Sequence, residues 1–411
     1  MKILHMVLDG HEVGQLIQDR HGATRVLTPP IDGAPRISIA FTPSDTPVKP
    51  ALTRAYLAGL LPDNADVREA IAGRLGVSSE SQFALIAKIG ADCPGAIQFL
   101  DEAQLAGERS GRLVPISDAG IAARLKRLRA GQRDWGVPGE HWSLGGAQSK
   151  IALRREGGQW HQAEGLQATS HIIKPGIARF RSQALVEHVS LRALGHLGLS
   201  VAGSEFVYFD DEPAVVVERF DRIADDDGSL RRVHQEDLCQ STSTLPTNKY
   251  TVKAEDVVRV LRGGGATEGG VLEFVRACIA NWVLAAPDAH AKNYSVFLGP
   301  AGVEALAPLY DVSTGLGYRD SSQLAMGFGG EKDIHKVTGR HLLAFARAVG
   351  VDGGDVLASA HEMASLMPMA FAVAMDGTPI DRSDDQAWLS ETLERLATHC
   401  AHVLTMLERT R

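Results

Sequence analysis

The chain has 411 residues, 44% of them hydrophobic and 22% charged, and 50 acidic against 42 basic side chains leave a net charge of -8. That length holds two or three domains or one enzyme divided into lobes, and the acidic balance argues against nucleic-acid binding through overall field alone, leaving only a local basic patch. No apolar run read along the sequence approaches the roughly 20 residues that span a bilayer, and Met1 to His5 lacks a signal-peptide core, so a cytoplasmic chain with no membrane association is expected.

Four scattered cysteines, Cys93, Cys239, Cys278 and Cys400, form no metal spacing and are expected to be buried, reduced thiols. Residues 2–27 read as a meander of strands at 2–8, 12–18 and 23–27, punctuated by Asp9-Gly10, His21-Gly22 and Pro29-Pro30. Helical periodicity then covers 51–61, 65–75 and 82–89, and 96–100 reads as a closing strand. An amphipathic helix over 116–128, capped by Ser117 or Asp118, begins a basic run from Arg124 to Arg133. A solvated helix face is the plain reading of that run. Residues 131–140, rich in Gly, Pro and charge, mark the best domain boundary.

Beyond Trp142 the character changes. A Gly-rich turn, Ser143-Leu144-Gly145-Gly146-Ala147-Gln148-Ser149-Lys150, enters a strand at 151–155, followed by strands at 160–163 and 171–174 and a long helix at 181–197. Strands at 204–209 and 214–220 follow, separated by residues 210–213. The remainder reads as mainly helical, apart from a strand pair at 293–298 and 309–311, with His234 to Asp237 opening a helix. A small sheet followed by a helical part makes the expected fold class α+β, with a two-lobed, protein-kinase-like arrangement. The expected domains are 1–110, a helical linker 111–140, a β-rich lobe 141–221 and a helical lobe 222–411.

The chemistry concentrates between Asn281 and Asp311. An apolar helix stops at Pro287, and Asp288, His290, Lys292 and Asn293 follow within six residues. Asp288 and Asn293 stand in a D-x4-N relation, and Asp311 returns 18 residues later. A base, a metal ligand, a hairpin and a second metal ligand, in that order, are what kinase-type phosphoryl transfer needs. Asp288 is the candidate base, and Asn293 and Asp311 are oxygen ligands suited to magnesium. Lys174, on the rigid strand before Pro175, suits nucleotide phosphates, though a strand-end lysine also snorkels to solvent. Glu187 on the next helix is a candidate partner for it. The amides of Gly145, Gly146, Ala147 and Gln148, with Lys150, form a candidate phosphate cradle that lacks Walker A spacing. Glu218 and Phe220 end an apolar strand where a kinase hinge reads adenine.

These stretches resemble the HipA-type serine/threonine kinases, toxins of bacterial toxin–antitoxin pairs. The resemblance runs through Leu60-Leu61-Pro62-Asp63-Asn64, Ile89-Gly90-Ala91-Asp92-Cys93-Pro94-Gly95-Ala96, the Gly-rich turn, His171-Ile172-Ile173-Lys174-Pro175, Val217-Glu218-Arg219-Phe220-Asp221-Arg222, Gln235-Glu236-Asp237-Leu238-Cys239-Gln240, Asp288-Ala289-His290-Ala291-Lys292-Asn293 and Leu309-Tyr310-Asp311-Val312. It implies ATP and magnesium as cofactors, Asp288 as catalytic aspartate, Asn293 and Asp311 as metal ligands, and Lys174 on the phosphates. Glu218, Phe220, Gln235, His290 and Tyr310 would line the nucleotide site. Ser143 matches the family's autophosphorylated serine. The resemblance further implies an aminoacyl-tRNA synthetase as substrate (the glutamyl enzyme first), a HipB-type helix-turn-helix antitoxin as partner, and operator DNA bound through their complex. The chain departs from the family pattern at Pro287, at Val186 and over residues 241–246. The alternatives are a small-molecule phosphotransferase of related fold and a pseudokinase scaffold.

Overall fold

A computed structural model of the chain describes every residue except 108–109, 132–138, 227, 319–321 and 411. Arg133 and most of the expected boundary at 131–140 lie outside the described residues. The chain forms two compact units, one of residues 1–175, 207–247 and 296–304, the other of 176–206, 248–295 and 305–411.

Two larger sheets dominate the first unit. In the smaller, the strand order is Thr24–Leu27, His11–Gln18, Lys2–Leu8 and Gln98–Leu100, and alternate residues Leu4, Met6 and Leu8 point into the core. Three helices follow, each with a local reason for its ends. Pro50–Leu60 begins with proline at its first turn; Ala65–Leu75 is capped by Asn64 and stopped by Gly76 at φ 65; Gln82–Ile89 is capped by Ser81. The larger sheet has the order Arg112–Pro115, Gln159–Glu164, Ile151–Glu156, His171–Pro175, Glu212–Glu218 and Ser204–Phe209. One hydrophobic core joins both sheets, from Leu4 and Phe99 through Ile121 and Trp142 to Ile151, Ile173 and Val216.

Several expectations are corrected here. The strand placed at 214–220 runs Glu212–Glu218, because the turn before it is only Asp210 and Asp211, with Asp210 at φ 48. The chain after Asp221 is less helical than expected: it contains short strands at Arg222–Ala224, Leu230–Arg232, Gln323–Phe328 and Glu331–Asp333. Gln235–Asp237 is a strand paired with Ser295–Gly299, and only Asp237 caps the short helix Leu238–Ser241. The basic run is not simply a solvated face. In helix Asp118–Arg129, Arg124 is buried and donates to both oxygens of Glu140 at 2.8 and 2.9 Å, while Arg129 pairs with Glu212. All four cysteines are free and buried.

The second unit is helical, built from Gln183–His196, Ala254–Gly263, Glu268–Val283, Gly339–Val349, Gly353–Asp376 and Ser383–Leu407. Gly353–Asp376 is long and apolar enough to cross a bilayer by length and composition, which reading the sequence for uninterrupted apolar runs missed. Its Val356, Ala360, Met363, Met367 and Phe371 are buried where it packs against four of the other helices. The strand expected at 309–311 is absent. Ser295–Gly299 instead pairs with Gly302–Leu306, and Leu309 makes only an isolated bridge to Val201.

Candidate active site

In the second unit, helix Glu268–Val283 delivers the chain to the polar cluster. Ala285 just beyond it takes a left-handed backbone at φ 54, and Ala286 N donates to Asn281 O at 2.7 Å. Asn281 is buried, and its amide donates to Ala277 O and to the Tyr294 hydroxyl, tying the helix end to the segment after the cluster. Pro287, whose place the sequence left open, accepts from Ala325 N at 2.9 Å through its carbonyl. A rigid residue anchored at its carbonyl fixes the approach to Asp288.

Asp288 is exposed, with its backbone carbonyl held twice, by His290 N at 2.8 Å and by the Asn293 amide at 2.9 Å. With the Asn293 nitrogen engaged, its oxygen is the atom left for a cation. The Asp288 carboxylate accepts from the Tyr250 hydroxyl at 2.5 Å. His290 is buried; burial holds it below the ordinary histidine range against the opposing pull of Asp288, and its Nδ1 has no partner. Tyr310 donates to Lys292 O at 2.9 Å and shares a hydrogen bond with Ser295 Oγ at 2.7 Å, fastening the segment before Asp311 to the loop after His290. Asp311 sits at φ 57. Left-handed backbone is uncommon outside glycine, though Asp tolerates it better than most, and Ala285 and Asp311 bracket the loop.

Among the described residues no group of three or more His, Cys, Asp or Glu is placed to hold a metal. One amide and one carboxylate make a poor permanent metal site but suit magnesium, which keeps several waters and arrives with nucleotide phosphates. In the second unit His290 Nδ1, and in the first Gln235 Oε1, are each buried without a protein partner, polar atoms of the kind a ligand or water satisfies.

In the first unit, the Gly-rich turn is held by residues from the N-terminal part of the chain. Ser143 is buried and donates to Leu60 O at 2.6 Å; Gly146 N donates to Asp63 Oδ1 at 3.2 Å, and Asp63 N to Gly146 O at 3.0 Å. Lys150 is buried and donates to Gly145 O at 2.7 Å, and Gln148 donates to Pro175 O at 3.3 Å. Gly146 has φ 99, and an added Cβ would stand 2.8 Å from Lys150 Nζ. Glycine is therefore favoured there by its conformation, while the space could be cleared by movement of the flexible Lys150 side chain. Ala147 is the exposed tip.

Lys174 is 4% exposed, so it does not snorkel, and it lies opposite Val215 in the sheet register. Glu187, in the second unit, is buried and accepts from Gln183 at 3.1 Å. Glu218 is exposed at its strand's end, and the ring of Phe220 stands edge-on to Phe297 at 5.8 Å. Gln235 is buried on its short strand. Between Glu218 and Phe220 lies Arg219, part of a buried network that the sequence did not reveal. Asp92 accepts from Arg219, Arg222 and Thr169, and Asp221 accepts from Arg219 and Gly95 N. Tyr250 was also missed, since nothing in its spacing joins it to Asp288.

Comparison with known proteins bears on these loops directly. Residues 4–100 match the HipA N-terminal domain and residues 142–371 the HipA-like C-terminal domain. The chain is 34% identical over 366 residues to the "Putative kinase Y4mE" of Sinorhizobium fredii, covering 85% of this chain and 86% of that protein. It is 28% identical over 380 residues to the serine/threonine-protein kinase toxin HipA of Shewanella oneidensis, covering 87% and 85%. A solved complex of HipA, HipB and operator DNA from Shewanella oneidensis MR-1 contains a chain with TM-score 0.88 and 25% identity, matched over 99% of each. The Asp288 loop, Asp311 and the Gly-rich turn all fall within the matched C-terminal segment, and the chain belongs to the HipA family of serine/threonine kinases.

Proposed function

We propose that this chain is a growth-arresting toxin that transfers the γ-phosphoryl group of ATP to a serine or threonine hydroxyl, with Asp288 as the base. The observation that carries the reading is the Asp288–Asn293 loop: an exposed carboxylate on a backbone held from both sides, beside an asparagine whose nitrogen is engaged and whose oxygen is not. Phosphoryl transfer asks mainly for positioning and charge neutralisation; the loop suits the first, and the second would come from the cation held there. Asn293 and Asp311 would hold magnesium, which supplies charge neutralisation at the transferred phosphates. Lys174, Lys150 and the amides of Gly145, Gly146, Ala147 and Gln148 would hold the phosphates, and Glu218, Phe220, Gln235, His290 and Tyr310 the nucleoside side. Asp288 accepts the proton of the attacking hydroxyl.

Self-phosphorylation at Ser143 belongs to the same proposal. The Ser143 hydroxyl is buried against Leu60 O, so modification requires the turn to leave its seat. A phosphate there adds nearly two negative charges and holds the turn out. The acceptor protein we propose is an aminoacyl-tRNA synthetase, the glutamyl enzyme first. A helix-turn-helix antitoxin of HipB type is the proposed partner, with operator DNA bound by their complex in the cytoplasm. The Shewanella complex of HipA, HipB and DNA supports that pairing. The proposed domains are 1–110, 111–140, 141–221 and 222–411.

The test is incubation with magnesium and labelled ATP, with and without cell extract, beside Asp288→Gln, with labelled sites identified by mass spectrometry. Label on Ser143 and on one synthetase, both absent in the variant, is the expected result. A labelled metabolite with no labelled protein, or equal labelling by the variant, would refute the proposal.

A further inference from the structure

We infer that Tyr250 is a positioning residue for phosphoryl transfer: its hydroxyl holds one carboxylate oxygen of Asp288 so that the other faces the acceptor hydroxyl. The inference rests on reading Asp288 as the base. Tyr250 lies on the 3-10 turn Pro246–Thr251, which follows the stretch 241–246 that departs from the family pattern. The residue is 49% exposed, so burial does not account for its placement. A tyrosine held for packing turns its ring inward and its hydroxyl to water. Here the residue is exposed while the hydroxyl donates to Asp288 Oδ1 at 2.5 Å.

Two contacts fix the phenol, and one hydrogen bond closes the turn that carries it. Its ring stands edge-on to His290, centroids 5.0 Å apart at 79°. The Lys249 ammonium lies 5.6 Å from the ring centroid. Thr251 closes the turn by donating to Asn248 O at 2.8 Å. His290 in turn donates its backbone N–H to the Asp288 carbonyl, so one histidine braces both the aspartate's backbone and the tyrosine on its side chain.

The chemistry follows from the lone pairs. An ionised carboxylate accepts at about four sites on two oxygens, so a phenol on Oδ1 leaves Oδ2 for the acceptor's proton. An exposed carboxylate without this brace rotates, and a base must sit within about 0.5 Å of its productive place. Misplacement on the order of 1 Å costs about 100-fold in rate. The competing possibility is that the phenol takes the acceptor's own seat; in that case its removal speeds the reaction.

The test is steady-state kinetics of the full chain with casein as hydroxyl acceptor and self-labelling as a second readout, comparing wild type with Tyr250→Phe and Tyr250→Ala. The dissociation constant of magnesium with a non-hydrolysable ATP analogue and the Tm are measured alongside. Tyr250→Phe keeps the ring against His290 and loses only the hydroxyl. A kcat lowered about 10- to 100-fold in both variants, with nucleotide affinity and Tm as in wild type, is the expected result. An unchanged or raised kcat in Tyr250→Phe overturns the inference and leaves the kinase reading standing, as does a fall in kcat matched by an equal loss of nucleotide affinity. A wild type that labels neither casein nor itself overturns both.

Discussion

Replacing Asp92 by asparagine removes one of two negative charges from a cluster that also holds Arg219, Arg222 and Arg232. The side chains of Asp92, Arg219, Arg222 and Asp221 are between 1% and 6% exposed, so water cannot take the carboxylate's place. Asp92 Oδ2 accepts from Arg219 at 3.0 Å and from Thr169 Oγ1 at 2.7 Å, and Oδ1 accepts from Arg222 at 2.7 Å. Burial alone would raise this carboxyl, but Arg219, Arg222 and Arg232 outweigh it and hold it well below the usual carboxylate range. Removing one partner of a buried ion pair costs about 3–5 kcal/mol, because the charge left behind stays buried. Asparagine keeps the shape and one acceptor, which places the expected loss near the lower bound, about 3 kcal/mol. With a urea m-value of about 3 kcal/mol per molar, the midpoint falls by about 1 M. The assay is urea titration read by pulsed hydrogen exchange in peptides covering residues 90–95 and 217–224, so that only the unit holding the network is followed. The sign with pH is fixed by the depressed carboxyl. Its contribution is present above the ordinary aspartate value near 3.9 and is lost as pH falls toward the native one, so wild type and variant converge in acid. A midpoint within about 0.3 M of wild type at pH 7 would refute the reasoning. Since Arg219 is flanked by Glu218 and Phe220, nucleotide affinity is expected to fall as well.

Glu236 is fully buried, and burial raises its carboxyl to about 7 despite hydrogen bonds from Ser38, Ile39 N and Ser241. Below about 4.5 its stabilisation is fully present; it is lost as pH rises to about 7, where the native state ionises, and the total is about 3 kcal/mol. Glu236→Gln is therefore expected to match wild type near pH 4.5 and exceed it at pH 8 in urea midpoint; a constant difference between those pH values rules the explanation out. At Gly146, alanine must adopt φ 99 and move the Lys150 ammonium. Gly146→Ala is expected to weaken magnesium–nucleotide binding at least 10-fold by calorimetry while Tm falls by only a few degrees, and unchanged affinity would remove the turn from the phosphate site.

Local signals carried some elements almost unaided. Helices Ala65–Leu75 and Gln82–Ile89 are bounded where their caps stand, because Asn64, Ser81 and Gly76 each satisfy or end a turn by their own chemistry. The first strands fall where the sequence places them, between the turns at Asp9-Gly10 and His21-Gly22. Short elements escaped. Leu230–Arg232 and Glu331–Asp333 have three residues each, too few for a period to show. Leu309 to Asp311 looked like a strand by hydrophobicity, but the left-handed backbone of Asp311 cannot continue an extended ladder.

The sequence alone singled out Asp288, Asn293 and Asp311 as candidates, because such a loop is read from residue type and close spacing. It also marked the Gly-rich turn, since glycine pairs announce backbone that other residues resist. Only the tertiary structure brought Tyr250 to Asp288 across 38 residues, seated Gly146 on Asp63, and closed Asp92 around Arg219 and Arg222 more than 120 residues away. These are contacts between side chains on separate elements. No local periodicity records them, because their energy exists only once the core has excluded water and set the partners side by side.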